Sequence, residues 1–217
     1  MIAEEAERGA CRLCGSPECR EILRDKIRPY VRCDCCGLTF VPEKHHISPQ
    51  QELLRYSRHT NHKTDKEYVA YLSSIAADVL MLPVASPRIL DFGSGPEHVL
   101  ADILNGAGAS CAAHDPLYGL NAAGQKGSFD IIVACESIEH IRNLPREIGL
   151  ISGLLAPAGF VYVHTQLCDH VADFAAWWYI IDVTHINFFC GKTMGKVAQM
   201  MGKRIVRTNG KDTVIFG

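Results

Sequence analysis

At 217 residues, 47% of them hydrophobic and 21% charged, the chain has the composition of a folded protein with room for one sizeable core and a small appendage. A formal charge of -2 gives no general affinity for nucleic acid or anionic membrane, and no apolar run approaches the roughly 18 residues of a membrane span. The acidic start, Met1 to Glu7, lacks a secretory apolar region, so the expected compartment is cytoplasmic, where ten cysteines read as thiols and metal ligands rather than as a disulfide framework.

Six of those cysteines lie within the first 36 residues. Cys11-x2-Cys14 and Cys33-x2-Cys36 stand 18 residues apart, a spacing that predicts a structural four-cysteine zinc site. Gly15 and Gly37 follow the two knuckles, where the backbone must turn. Four sulfur ligands leave no open coordination position, and a ribbon this small needs the metal to fold. Cys19 and Cys35 are surplus, although Cys35 is an alternative to Cys33 as ligand. Residues 1–42 are thus expected to form a zinc ribbon, with strands at Tyr30-Val31-Arg32 and Leu38 to Val41.

Residues 43–64 read as a polar connector carrying His45, His46, His59 and His62. Thr64 to Glu67 has the form of a capping box. Apolar residues at 68, 69, 72, 75, 76, 79 and 80 then keep helical spacing up to Pro83. Strands are expected at 88–92, 110–114, 129–134 and 159–164, and helices near 97–105 and 145–155, the alternation of a parallel sheet covered on both faces. Helices near 170–181 and 192–202 and strands at 203–208 and 212–216 complete the pattern, with the last strand antiparallel.

Between the first two sheet strands the chain reads Asp91-Phe92-Gly93-Ser94-Gly95-Pro96. Two glycines one residue apart after an apolar strand predict a turn that lets a ligand touch the main chain. A pyrophosphate would need helix N–H groups, and here Pro96 has none while Asp91 and Glu97 add negative charge. The loop therefore suits a ligand bearing an ammonium or sulfonium, as S-adenosylmethionine does. Asp115 stands 20 residues after Gly95, the spacing of a ribose-binding acid at the end of the next strand, with Pro116 following. Asp91, Asp115 and Glu136 all fall at strand carboxyl ends, where such sheets bind ligands.

The segment Asp91-Phe92-Gly93-Ser94-Gly95 resembles the D-x-G-x-G signature of class I S-adenosylmethionine-dependent methyltransferases. Cys111 to Asp115 is similar to that family's second strand, Phe129 to Glu136 to its fourth, Glu139-His140 to the pair that often follows it, and Leu154 to Val163 to its fifth. The resemblance spans residues 65–217 and implies a Rossmann-like, doubly wound, mostly parallel α/β sheet. It also implies a cofactor site of Asp91, Gly93, Ser94, Gly95, Asp115, Pro116, Cys135 and Glu136. Glu97 stands where the family often has a third glycine. Only 14 residues separate Asp115 from Asp130, so the family's third strand is expected to be short or missing, with Tyr118 to Ser128 a loop over the cofactor.

Asp182-Val183-Thr184-His185-Ile186-Asn187-Phe188-Phe189 resembles the D-x-T-H-x-x-F-F segment of a subset of these enzymes, several of which carry an N-terminal cysteine-rich module. It makes Asp182 and His185 candidates for a carboxylate-oriented imidazole base, with Trp177, Trp178 and Tyr179 walling the acceptor pocket. His140, His164 and His170 are further candidates. Buried aromatic packing and a histidine satisfied by a backbone carbonyl are the structural alternatives. The expected activity is methyl transfer by in-line displacement to a small molecule, a sugar or secondary metabolite. Two readings stay open beside it: an RNA or protein methyltransferase gripping its substrate through Arg20, Arg24, Lys26, Arg28 and Arg32, and a non-catalytic cofactor-binding protein.

Overall fold

The computed structural model describes residues 9–57, 62–122, 124 and 127–217. Around the cysteines, β1 (Cys19–Arg24), β2 (Pro29–Cys33) and β3 (Thr39–Phe40) form an antiparallel meander. β1 was not among the expected strands, because Cys19 to Arg24 lacks the apolar alternation that marks one.

Within the connector, α1 (Pro49–Tyr56) starts at a complete capping box between Ser48 and Gln51. α2 (Lys66–Leu80) is capped one residue later than expected. The Asp65 carboxylate, not the Thr64 hydroxyl, accepts from the N–H groups of Glu67 and Tyr68 at 2.9 and 3.1 Å, and its charge also suits the helix N-terminus. His59 lies outside the described residues.

The larger sheet contains β4 (Arg88–Phe92), β5 (Ser110–His114), β6 (Phe129–Cys135) and β7 (Leu155–His164), all parallel. Between them run α3 (Val99–Gly106) and α4 (Leu144–Leu154). β8 (Asn187–Phe188) leaves this sheet and pairs with β3 of the small one, Thr39 opposite Phe188. After α5 (Gly191–Met200), β9 (Ile205–Thr208) and β10 (Thr213–Phe216) return, and β10 lies antiparallel to β7. The strand order is β5-β4-β6-β7-β10-β9, ending at β5 where a third family strand would otherwise add. With its middle shortened, the larger sheet thus has six strands among the described residues. The Asp115–Leu120 bridge and the Ala122 N–H bonded to His114 hold what precedes β6, while residues 123, 125 and 126 of the expected loop lie outside the described residues.

The alternation of strand side chains sorts the core into two layers. Ile89, Ile131 and Val133 face Leu72, Ile75 and Val79 of α2 and Leu100 and Leu104 of α3. On the other face Leu90, Ile132 and Val163 share one cluster with Ile148 and Ile151 of α4, Met194 and Val197 of α5, and Leu13, Val31, Leu38 and Phe40 of the cysteine-rich segment. Each such buried side chain contributes about 2 kcal/mol. The small sheet therefore shares the core of the large one.

Residues 170–181 do not form the expected helix. Short 3-10 turns at Cys168–His170, Phe174–Ala176 and Trp178–Ile181 replace it. Past the last of these turns, side chains hold the chain's carbonyls: Tyr179 O accepts from His185, and Ile180 O, Asp182 O and Val183 O accept from Arg28. No helix among the described residues is long and apolar enough to cross a membrane.

Candidate functional site

β4 delivers Asp91 to the carboxyl edge of the sheet, and the chain then turns through Gly93 at φ +82° and Gly95 at φ +67°. Both angles belong to the left-handed region that favours glycine. At Gly93 space also decides, since a Cβ would stand 2.4 Å from Ser137 Cβ in the loop after β6. The N–H groups of Gly93 and Ser94 point to His114 O at 2.7 and 3.3 Å, which locks the turn against β5.

Asp91 is fully buried, and its Oδ2 makes no hydrogen bond. Burial pushes its carboxyl up to about 7, against the Ala101 N–H, which acts the other way, and Asp115 adds to the rise. Such an orphaned acid fits a ligand that brings a cationic donor. Asp115 accepts from Gly95 N at 3.0 Å and Leu117 N at 3.1 Å, so it caps the turn that begins at Pro116 and braces the glycine loop. The two uses are compatible, because a carboxylate has about four lone-pair sites. Glu97 is not idle: it accepts from His62 Nδ1 at 2.7 Å and Lys63 N at 2.8 Å, tying the start of α2 to the loop.

At the end of β6 Cys135 is half-buried and Glu136 adopts φ +45°, with its N–H on His164 O. Tyr71 of α2 reaches Glu136 Oε1 at 3.4 Å and Cys135 Sγ at 3.8 Å. Tyr68 packs against the same cluster as Tyr71 and Cys135, and burial raises its hydroxyl pKa. These two tyrosines were not expected at the site. Their spacing of three on one helix face just before β4 was the available signal.

Three residues after Glu136, Glu139 is also fully buried. It accepts from Tyr179 Oη at 2.6 Å and Thr165 Oγ1 at 3.0 Å. Burial and then Glu139 raise Glu136 to about 9, whereas at Glu139 the upward pull of burial is outweighed by His140, His185 and Tyr179.

Two of the proposed bases converge here, but not as the expected dyad. His185 donates from Nδ1 to Tyr179 O at 2.7 Å, while Asp182 accepts from Thr184 N and Thr184 Oγ1 at 3.0 and 2.8 Å. Asp182 is therefore a turn-forming acid, held down to about 2 by Thr184, His185 and Arg55 against the effect of burial. Burial lowers His185 to about 4. His140 donates from Nδ1 to Thr184 O at 3.1 Å and packs edge-on to His185, ring centres 4.8 Å apart. His164 is buried between Thr213 and Glu136, and His170 is exposed outside the cleft. Of the expected aromatic wall only Tyr179 meets the acids. Trp177 packs against Tyr179, ring centres 5.0 Å apart, in a core with Tyr30 and Phe188, and Trp178 meets Tyr179 edge-on but is 63% exposed.

Cys11, Cys14, Cys33 and Cys36 bring their sulfurs within 4.8 Å of one another, with Cys11 to Cys36 at 3.5 Å and Cys14 to Cys33 at 3.6 Å. A tetrahedral ion about 2.3 Å from each sulfur spaces them about 3.8 Å apart, so the donor set fits zinc. Gly15 N and Gly37 N close the knuckles on Cys11 O and Cys33 O, and Cys35 points to solvent. Arg28, expected as a surface cation, is buried.

The model of a methyltransferase domain matches residues 32–208. A comparison with curated protein sequences returns no match. Among solved structures, a 1,6-didemethyltoxoflavin-N1-methyltransferase from Burkholderia thailandensis, with its substrate and S-adenosylhomocysteine bound, is 16% identical with a TM-score of 0.52, over 92% of this chain and 97% of that one. A mitomycin 7-O-methyltransferase is 12% identical with a TM-score of 0.54, over 78% of this chain and 57% of that one. An S-adenosylmethionine-dependent methyltransferase from Archaeoglobus fulgidus is 13% identical with a TM-score of 0.50, over 63% and 69%. At such identities the likeness is one of fold. With the family model covering most of its length, the chain belongs to the methyltransferase-domain family.

Proposed function

We propose that this protein transfers a methyl group from S-adenosylmethionine to a small-molecule acceptor. The observation that carries this reading is Asp91: a buried carboxylate with an unsatisfied oxygen under a two-glycine turn, beside a second acid, Asp115, at the next strand end. The donor supplies an activated methyl on a sulfonium. Asp91 and the Gly93-Ser94-Gly95 turn would hold its cationic methionine end, and Asp115 with Pro116 its ribose. Glu136 and Cys135 floor the cleft between them. Tyr68 and Tyr71 exclude water from above.

On the acceptor side, His140 and His185 each keep one ring nitrogen free at the acceptor end, to take a proton or to hold a ligand, and Asp182 shapes the Thr184 turn that carries His185. Four thiolates clasp a structural zinc that holds β2 and β3. The alternative grip on RNA or protein loses support where four of its five cations are otherwise engaged: Arg28 on buried carbonyls, Arg20 on Asp34, Arg24 on Glu21 and Arg32 on Thr39.

Calorimetry with S-adenosylmethionine, S-adenosylhomocysteine and a nicotinamide dinucleotide tests the reading. Binding of the first two and not the third is expected. Uptake of the dinucleotide alone would reject it.

A further inference from the structure

We propose that Glu139, His140 and His185 form a divalent-cation site at the acceptor end of the cleft, and that the acceptor presents a hydroxyl to that cation. The inference rests on reading the cleft as a methyl-donor site. One donor atom of each residue lies within 4.8 Å of the others. Ligands about 2.0–2.2 Å from an ion stand about 3–4.4 Å apart, so small side-chain rotations close the cluster on a cation.

The surrounding hydrogen bonds prepare the ligands. A backbone carbonyl only accepts, so the contacts of His140 Nδ1 with Thr184 O and of His185 Nδ1 with Tyr179 O put a proton on Nδ1 and leave Nε2 of each ring to coordinate. Outer contacts of this kind are what orient metal-binding imidazoles. Glu139 receives one hydroxyl on each oxygen, from Tyr179 and Thr165, which fixes its plane and spares further lone pairs. A fully buried carboxylate also calls for a counter-charge. The set of two imidazoles and one carboxylate suits Mn2+, Fe2+, Co2+ or Zn2+ and, unlike four thiolates, leaves coordination positions open.

Its position gives the ion a use. Ser137, two residues before Glu139, abuts Gly93 of the glycine turn, and Tyr179 Oη bridges Glu139 and Glu136. A cation there lowers the pKa of an acceptor hydroxyl, whose proton leaves to solvent. The acceptor oxygen forms the new O–C bond while the donor's S–C bond breaks with its electron pair going to sulfur. A cationic sulfonium and an anionic oxygen thus give two neutral groups.

The test is an Mn2+ titration of the full-length, zinc-loaded chain followed by electron paramagnetic resonance, since thiolates hold this hard ion poorly. One Mn2+ per chain is expected. His140→Ala and His185→Ala should each weaken it at least about tenfold, and Cys35→Ser should not. Melting curves and S-adenosylhomocysteine calorimetry check each variant; if His185→Ala unfolds, the half-exposed His140 variant carries the test. Retained S-adenosylhomocysteine binding without Mn2+ uptake, or uptake indifferent to the histidine variants, overturns the cation site and leaves the donor reading standing. Uptake that the variants abolish, without any S-adenosylhomocysteine binding, upholds the cation site and overturns the donor reading instead.

Discussion

The Arg28 guanidinium donates to the Val183 carbonyl at 2.6 Å across 155 residues of sequence, and also to the carbonyls of Ile180 and Asp182. One side chain of the cysteine-rich segment therefore shapes the segment that carries Tyr179 and His185. Replacing it removes three hydrogen bonds at a buried position, although Ile180 O keeps the Tyr30 hydroxyl and Asp182 O keeps His185 N, so the Val183 carbonyl loses most. Arg28→Ala should lower stability by about 3 kcal/mol, read by urea denaturation, and should reduce acceptor turnover well beyond any effect on S-adenosylhomocysteine binding. Equal loss of both would place the effect in global unfolding instead.

Asp91 predicts a pH signature. Its folded pKa, about 7, lies above the ordinary 3.8, so the folded chain binds the proton more tightly than the unfolded one. Stability from this group is full below pH ~4 and is lost as pH rises through about 7. Asp91→Asn should accordingly melt higher than the parent at pH 8, by an amount on the order of 4 kcal/mol, with the gap closing towards pH 4. The same variant should bind S-adenosylmethionine more weakly. Calorimetry at pH 6 in buffers of different ionisation enthalpy should show a proton released as the cationic donor binds.

The two glycines of the turn should respond differently. Gly95→Ala meets no atom within 4 Å and bears only the cost of its φ, about 1–2 kcal/mol. Gly93→Ala adds a collision with Ser137 Cβ and should lose S-adenosylhomocysteine binding altogether. Ser137→Gly should recover part of that loss, measured by calorimetry on the double variant.

For the thiolate cluster, Cys33→Ser should lose the zinc and lower the melting temperature, while the solvent-facing Cys35→Ser keeps both. Metal content by mass spectrometry decides. Full zinc in Cys33→Ser would mean that Cys35 has replaced it as ligand.

The elements around Asp91 were legible because their signals are local: a buried apolar run, paired glycines and an acid 20 residues on. The cysteine knuckles carry their spacing in the same way. Residues 170–181 misled because Ala, Trp and Ile there have helical spacing, while the aromatic packing of Phe174, Trp177 and Tyr179 against Tyr30 and Phe188 is set by tertiary contacts. Glu139 looked like half of a dipeptide motif. Only the meeting of the β6 loop with Thr165 and Tyr179 makes it the hub of the acceptor end. A two-residue strand such as β8 is too short for alternation to reveal.

That short strand couples two halves of the molecule that a linear reading keeps apart. Through the ladder of Thr39 with Phe188, the tract between His164 and Cys190 is moored at one end to the large sheet and at the other to the cysteine-clasped one. On the proposed reading, loss of zinc from the cysteine cluster would then slacken the tract that carries Tyr179 and His185 and leave the glycine turn after β4 intact. Such molecules would still sequester the methyl donor yet hand nothing on, behaving in the cell as a sponge for it.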